Sequence, residues 1–284
     1  MKNNELPMKE NYWIESLFIY PVKSLAGIPV DKSNAEIRGF QYDRRWMVTD
    51  ASGNYLSQKT LPAMALLKTS LTDNGILIQP GDSRSDPVLV PFKSPSHDVI
   101  KVKIFDDTVE AMETDPAISR WLSGFLGLSC KLVYMEESTN RYVSRKYSIH
   151  QETVSFANSF PYLIISQASF DDLNNRLTKK IPVNRFRPNL VIGGGDPYFE
   201  DGIDELSAGE VHFKCMKPCA RCKIITVNQE TALLDDEPLS VLSSYRKSDN
   251  DINFGYRSLC LKEGEVHVGD PVTILSARTV LHQN

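Results

Sequence analysis

The chain has 284 residues, 41% hydrophobic and 24% charged, with a formal net charge of −4. That length accommodates two domains or one large β-rich one, with apolar residues enough for a full core. The acidic balance argues against a nucleic-acid footprint, and no apolar run approaches the ~18 residues of a membrane span.

In chain order, the start "MKNNELPMKENYW" lacks the basic flank and apolar run of a signal peptide. Short β-branched or alternating runs then predict strands over 14–20, 45–50, 75–80, 87–92, 98–105 and 108–113. Asp115-Pro116 reads as a helix start, an N-cap followed by proline at the first helical position. Ile118, Trp121, Leu122, Phe125 and Leu126 share one face of that helix, and Gly127 can end it. "CKLVYM" predicts a strand over 130–135. The polar, poorly periodic segment 136–155 marks the boundary between an amino-terminal unit over 12–135 and a second unit over 136–284.

In the second unit "PYLIIS" predicts a strand, and a helix runs from Ser166 or Ala168 to Lys180 with Phe170, Leu173 and Leu177 at helical spacing. Strands follow over "PNLVIGGG" and "ELSAGEVHFK", then a cysteine loop, a strand over "KIITVN" and a helix over 237–247. "GEVHVGDPVTIL" closes the chain as two short strands about a Gly-Asp-Pro turn. Many short strands with few helices predict a mainly β (α+β) chain built on a barrel or closed sheet.

Three of the five cysteines fall in "VHFKCMKPCARCKIITV": Cys215, Cys219 and Cys222. An odd cysteine count with this clustering speaks against a secreted disulfide framework, so a reducing, cytoplasmic setting is expected. The C-x3-C-x2-C spacing matches an iron–sulfur loop that cleaves S-adenosylmethionine, but only 62 residues follow Cys222, too few for the barrel such enzymes need. A zinc site would recruit His212 as fourth ligand, yet strand alternation sends His212 and Cys215 to opposite faces. Cys215, like Cys130 and Cys260, reads as a small core filler. Cys219 and Cys222 follow Pro218 among Lys217, Arg221 and Lys223, cations that favour a thiolate. A thiolate among cations suits a metal complex that carries negative charge of its own.

Basic residues recur at strand ends: Lys23 beside Ser24 in "YPVKSLAG", Arg44 and Arg45 in "YDRRW", and Arg185 and Arg187 in "NRFRPNL". Alternation would put Arg185 and Arg187 on one face of an extended segment, with Pro188 holding Arg187 extended. Converging on one anion, these groups would offer the forks and point charge that phosphate prefers. Asp196 and Glu200 read as turn and surface carboxylates, and the histidines form no catalytic pair.

Taken together, "YPVKS", "DRRW", "NRFRPN" and "PCARCKIITVNQETA" resemble the MOSC (molybdenum cofactor sulfurase C-terminal) family, near the mitochondrial amidoxime-reducing component and its bacterial relatives. The resemblance runs from about Trp13 to Leu275 and implies a MOSC-type β-barrel with an associated amino-terminal β-barrel region. It also implies a molybdopterin-type molybdenum cofactor, with Cys222 as metal ligand and catalytic residue. Lys23, Ser24, Arg44, Ser159, Arg187 and Asn189 would hold the cofactor. A pyridoxal-phosphate-binding description also goes with the resemblance.

The implied reaction reduces a small N-hydroxylated compound such as an amidoxime, hydroxylamine or N-hydroxylated base, with two electrons and two protons and release of water. Two features of the family are not expected here: the mitochondrial proteins' membrane anchor and the ferredoxin-like extension of some bacterial relatives. Electrons would therefore come from a separate protein, ferredoxin-like or cytochrome b5-like with its reductase. Glycines 193–195 replace a cysteine of the mitochondrial protein. Two other roles remain open: a sulfur or cofactor carrier, and a non-catalytic zinc- or anion-binding module.

Overall fold

A computed structural model of the protein describes residues 11–81, 85–93 and 98–278, so most of the polar start lies outside the described residues. Strands dominate, with three α-helices among the described residues, and the chain is mainly β.

Seven strands close into a barrel. Tyr162–Ser166 pairs in parallel with Leu190–Gly193, which pairs antiparallel with Tyr12–Ile19. The circuit continues through Pro271–Ala277, Ile203–Ala208, Val211–Ala220 and Asp251–Lys262. Asp251–Lys262 then returns to Tyr162–Ser166, with Ile164 opposite Tyr256. Closure leaves no unpaired edge within the ring. The interior is packed by Ile14, Leu17, Leu206, Phe213, Cys215 and their neighbours, fully buried. One barrel strand, Tyr12–Ile19, comes from the very start of the chain.

Most of the rest of the first half forms a five-stranded sheet and a three-stranded sheet, while Lys32–Glu36 and Gly39–Phe40 join Gly264–His267 in a second three-stranded one. The five strands run Val99–Ile104, Asp107–Glu113, Cys130–Tyr134, Trp46–Asp50 and Val22–Lys23. A second core holds Trp46, Met64, Ile78, Ile118 and Leu122 under helix α1, Pro116–Leu126. As its sequence signals, α1 is capped by Asp115, which accepts from the Ala117 amide at 2.7 Å, and ends at left-handed Gly127.

Five local expectations fail. Helix α2, Gln167–Arg176, stops before Lys179 and Lys180, because the Asn174 side chain accepts from the Ile181 amide and donates to its carbonyl. The run 205–214 is a hairpin rather than one strand, turning at Gly209 with φ 55°. Lys223–Thr226 of "KIITVN" is a 3-10 turn, Ile225 buried beneath it. Val183–Phe186 of "NRFRPNL" is also 3-10, and Arg187 sits in the left-handed region at φ 56°. Glu200 is buried, not superficial, and accepts from the Ser166 amide and the Ser169 hydroxyl at the head of α2. Helix α3, Glu237–Tyr245, forms where its proline predicts. No helix among the described residues is long and apolar enough to cross a membrane.

Candidate functional site

A cavity of about 200 Å³ opens between the barrel and the first-half sheets. Its lining includes all seven residues singled out above: Lys23, Ser24, Arg44, Ser159, Arg187, Asn189 and Cys222. Each basic doublet sends one member here and one elsewhere. Arg44 lines the cavity, while Arg45 binds Glu137 and the Met135 carbonyl, both at 2.6 Å. Arg187 lines it, while Arg185 lies 3.5 Å from Asp235. Around the cysteines only Arg221 turns inward, since Lys217 rests on the Tyr147 ring and Lys223 is exposed.

The cations are held by a buried network. Arg44 Nη1 donates to Asp43 Oδ2 at 2.6 Å and to Asn189 Oδ1 at 2.8 Å, and Nη2 donates to the Arg187 carbonyl at 3.2 Å. Asp43 also accepts from the Tyr20 amide at 2.8 Å. Burial pushes its carboxyl up, against the pull of Arg44. Asn189 spends its oxygen on Arg44 and the Leu163 amide and donates to the Phe18 carbonyl, so it positions Arg44. Arg187 Nη1 donates to the Leu25 carbonyl at 2.7 Å, and burial lowers its pKa to about 10.

Arg44 and Arg187 both stack on the Tyr20 ring, at 4.4 and 4.2 Å. Gly27 permits this, since a Cβ there would lie 2.3 Å from Tyr20 Cε1. Lys23 Nζ donates to the Phe156 carbonyl at 2.8 Å. Burial, and then Arg141, Arg44 and Arg187, bring the Lys23 amine well below its usual range.

The sequence reading overlooked several participants. Arg141 donates to the Ser155, Ala157 and Asn158 carbonyls and so shapes the loop that carries Ser159. Arg257 reaches Ser159 Oγ at 3.4 Å, and Tyr55 and Phe105 close one side of the cavity. Arg141 sits in a polar segment with no periodic signal, and Arg257 inside a strand; neither stands beside a second functional residue that would flag it.

Cys222, exposed, follows the strand Val211–Ala220 in extended conformation. Cys219, buried on the same cavity, accepts from Arg221 Nη1 at 3.1 Å. Burial alone would raise the Cys219 thiol, but the Arg221 and Arg257 guanidiniums bring it below the ordinary range. Cys215 points into the barrel core beside Ser258, and burial pushes it up to about 11. The three cysteines therefore cannot share one iron–sulfur cluster. A four-ligand zinc site fails for the same reason, with His212 on the opposite strand face from Cys215. Among the described residues no three His, Cys, Asp or Glu side chains gather as a metal-binding group.

What the geometry does fit is an anionic group that takes a single sulfur ligand. Among the described residues, six basic side chains line the cavity and no carboxylate does. Arg221 Nε is buried there without a hydrogen-bond partner.

A MOSC domain matches residues 151–273, and a MOSC N-terminal beta barrel domain matches residues 12–129. Human mitochondrial amidoxime-reducing component 1 is 32% identical over 282 residues, covering 92% of this chain and 82% of that protein. Rat mitochondrial amidoxime reducing component 2 is 32% identical over 281 residues, with coverage of 91% and 82%. The molybdenum cofactor sulfurase of Arabidopsis thaliana is 33% identical over 280 residues; the match covers 90% of this chain but 34% of that protein. With both domains matched in order along most of its length, the chain belongs to the MOSC family.

Proposed function

We propose that the cavity holds a molybdenum–pterin cofactor and that the protein reduces N-hydroxylated compounds with electrons from a separate redox protein. The observation that carries this reading is one exposed thiol, Cys222, on a cavity lined, among the described residues, by six basic side chains and no carboxylate. The amidoxime-reducing relatives support the reaction class. When bound, the cofactor supplies a two-electron reduction that, with two protons, converts an N–OH group to N–H and releases water. The protein's part is grip, orientation and electrostatics.

In this reading Cys222 ligates the metal. Arg187 and Arg44 face the phosphate, fixed in direction by Tyr20, Asp43 and Asn189. Ser24 and Ser159 offer hydroxyls at the cavity wall. Lys23 Nζ, eased toward giving up its proton by burial and neighbouring guanidiniums, is the proton-exchanging group that faces the cavity. Five free cysteines suit a reducing, cytoplasmic setting.

The test is reduction of benzamidoxime to benzamidine with a chemical electron donor, on protein from a host that makes the cofactor. Turnover by the wild type and its loss in Cys222→Ser are expected; full activity in the variant would remove Cys222 from the reaction. A second reading, a sulfur carrier, is favoured by the exposure of Cys222 and by the sulfurase relatives. It predicts sulfide release on reduction and no turnover.

A further inference from the structure

Phe105 lies where an aromatic residue should be costly. It occupies a two-residue hairpin turn with Asp106, between the paired residues Ile104 and Asp107, and its φ is 53°. Tight hairpin turns reserve positive φ for glycine, asparagine or aspartate, and a bulky side chain held there marks strain that the surrounding structure must impose. The ring is not retracted into the core: it is 43% exposed and lines the cavity.

The second ring is held beside it by backbone. The Tyr55 amide donates to the Lys103 carbonyl at 3.1 Å, and the Lys103 amide donates to the Gly53 carbonyl at 2.8 Å. Gly53 allows the close approach, since a Cβ there would lie 2.9 Å from the Lys101 carbonyl oxygen. The two rings lie 4.9 Å apart at 47°, with Lys23 Nζ over both. Tyr55, Phe105 and Cys222 all line the same cavity. The aromatic pair and the exposed thiol therefore face one space.

We infer that Tyr55 and Phe105 form an aromatic platform that selects flat, conjugated N-hydroxylated compounds and stacks them beside Cys222. This rests on the reductase reading above and adds the part of the wall that sorts substrates. The platform explains why strain persists at Phe105: glycine would suit the turn better but would leave nothing to stack on.

The experiment is isothermal titration of benzamidoxime and of acetamidoxime into wild type, Phe105→Gly, Phe105→Asn and Tyr55→Leu. All four proteins come from a host that makes the molybdenum cofactor, and melting temperatures are recorded in parallel. The wild type should prefer the aryl compound, and that preference should fall by about fivefold in each variant. Phe105→Gly should melt no lower than wild type, because glycine accepts the turn's φ; Phe105→Asn, which tolerates the same φ, separates loss of the ring from a change in folding.

An absent aryl preference in the wild type, or one that persists within about twofold in the variants, overturns the platform. Reduction of both compounds is followed alongside. A preference that collapses while neither compound is reduced sinks the reductase reading and leaves the platform standing. Reduction with an unchanged preference sinks the platform alone.

Discussion

The two halves of the chain bring their groups to the cavity in different ways. The barrel half delivers Cys222 from extended backbone, with φ −131°, at the end of a strand paired along most of its length. The first half delivers Ser24, Arg44 and Phe105 from turns in the left-handed region, at φ 68°, 50° and 53°. Arg187, though it comes from the barrel half, follows the first-half pattern at φ 56°. The thiol is thus placed by the regular ladder of a closed sheet, whereas the cradle is placed by short, costly turns. Those turns need local braces, namely Asp43, Asn189, Tyr20 and Gly27.

If that contrast is right, the cradle should break at its braces. The largest effect is expected from Arg44→Met, which leaves the buried Asp43 carboxylate without its charge partner. Removing one member of a buried pair costs about 3 kcal/mol, so urea unfolding should show a loss near that size. A loss below about 1 kcal/mol would mean that water reaches Asp43 and that the network is looser than described.

Next comes a pair of glycines. Gly27→Ala places a Cβ against the Tyr20 ring and should cost about 2 kcal/mol, shifting both stacked arginines. Gly124→Ala in α1 meets nothing within 4 Å and should stabilise by about 0.5 kcal/mol. Equal effects in thermal melts would erase the distinction between the braced cradle and an ordinary helix.

The smallest effect concerns the barrel. Burial raises Cys215 from the usual value near 9 to about 11, so the fold favours its neutral thiol. Its contribution is full below pH 9 and is lost as pH rises through about 11. Cys260, raised to about 12, extends the same loss further. Unfolding free energy, measured in urea between pH 8 and 11, should fall less steeply in Cys215→Ala, by an amount on the order of 1–2 kcal/mol. An identical slope in the variant would show that the barrel interior admits water.

Local signals made some of this legible in the sequence. Asp115-Pro116 and Gly127 bound α1 because capping is chemistry between near neighbours. A barrel or closed sheet was legible from the many short strands, but which strands close it was not, because Tyr12–Ile19 finds its partners in residues 190–193 and 271–272, far along the chain. "KIITVN" and "NRFRPN" misled because a short alternating run fits a strand and a one-sided turn equally well. In "NRFRPN" the deciding contacts are tertiary: Arg187 turns back to the Leu25 carbonyl and onto Tyr20. "SAGE" did carry its signal, since a glycine inside a strand pattern warns of a turn. The lone cations Arg141 and Arg257 gave none.

The central claim is that Cys222 holds molybdenum, and elemental analysis tests it most directly. Protein made in a host that synthesises the cofactor is measured by plasma mass spectrometry, with Cys222→Ser beside it. About one molybdenum per chain in the wild type and none in the variant is the predicted result, as expected for a single thiolate ligand. Molybdenum retained in full by Cys222→Ser, or zinc or iron at that stoichiometry in the wild type, would contradict it.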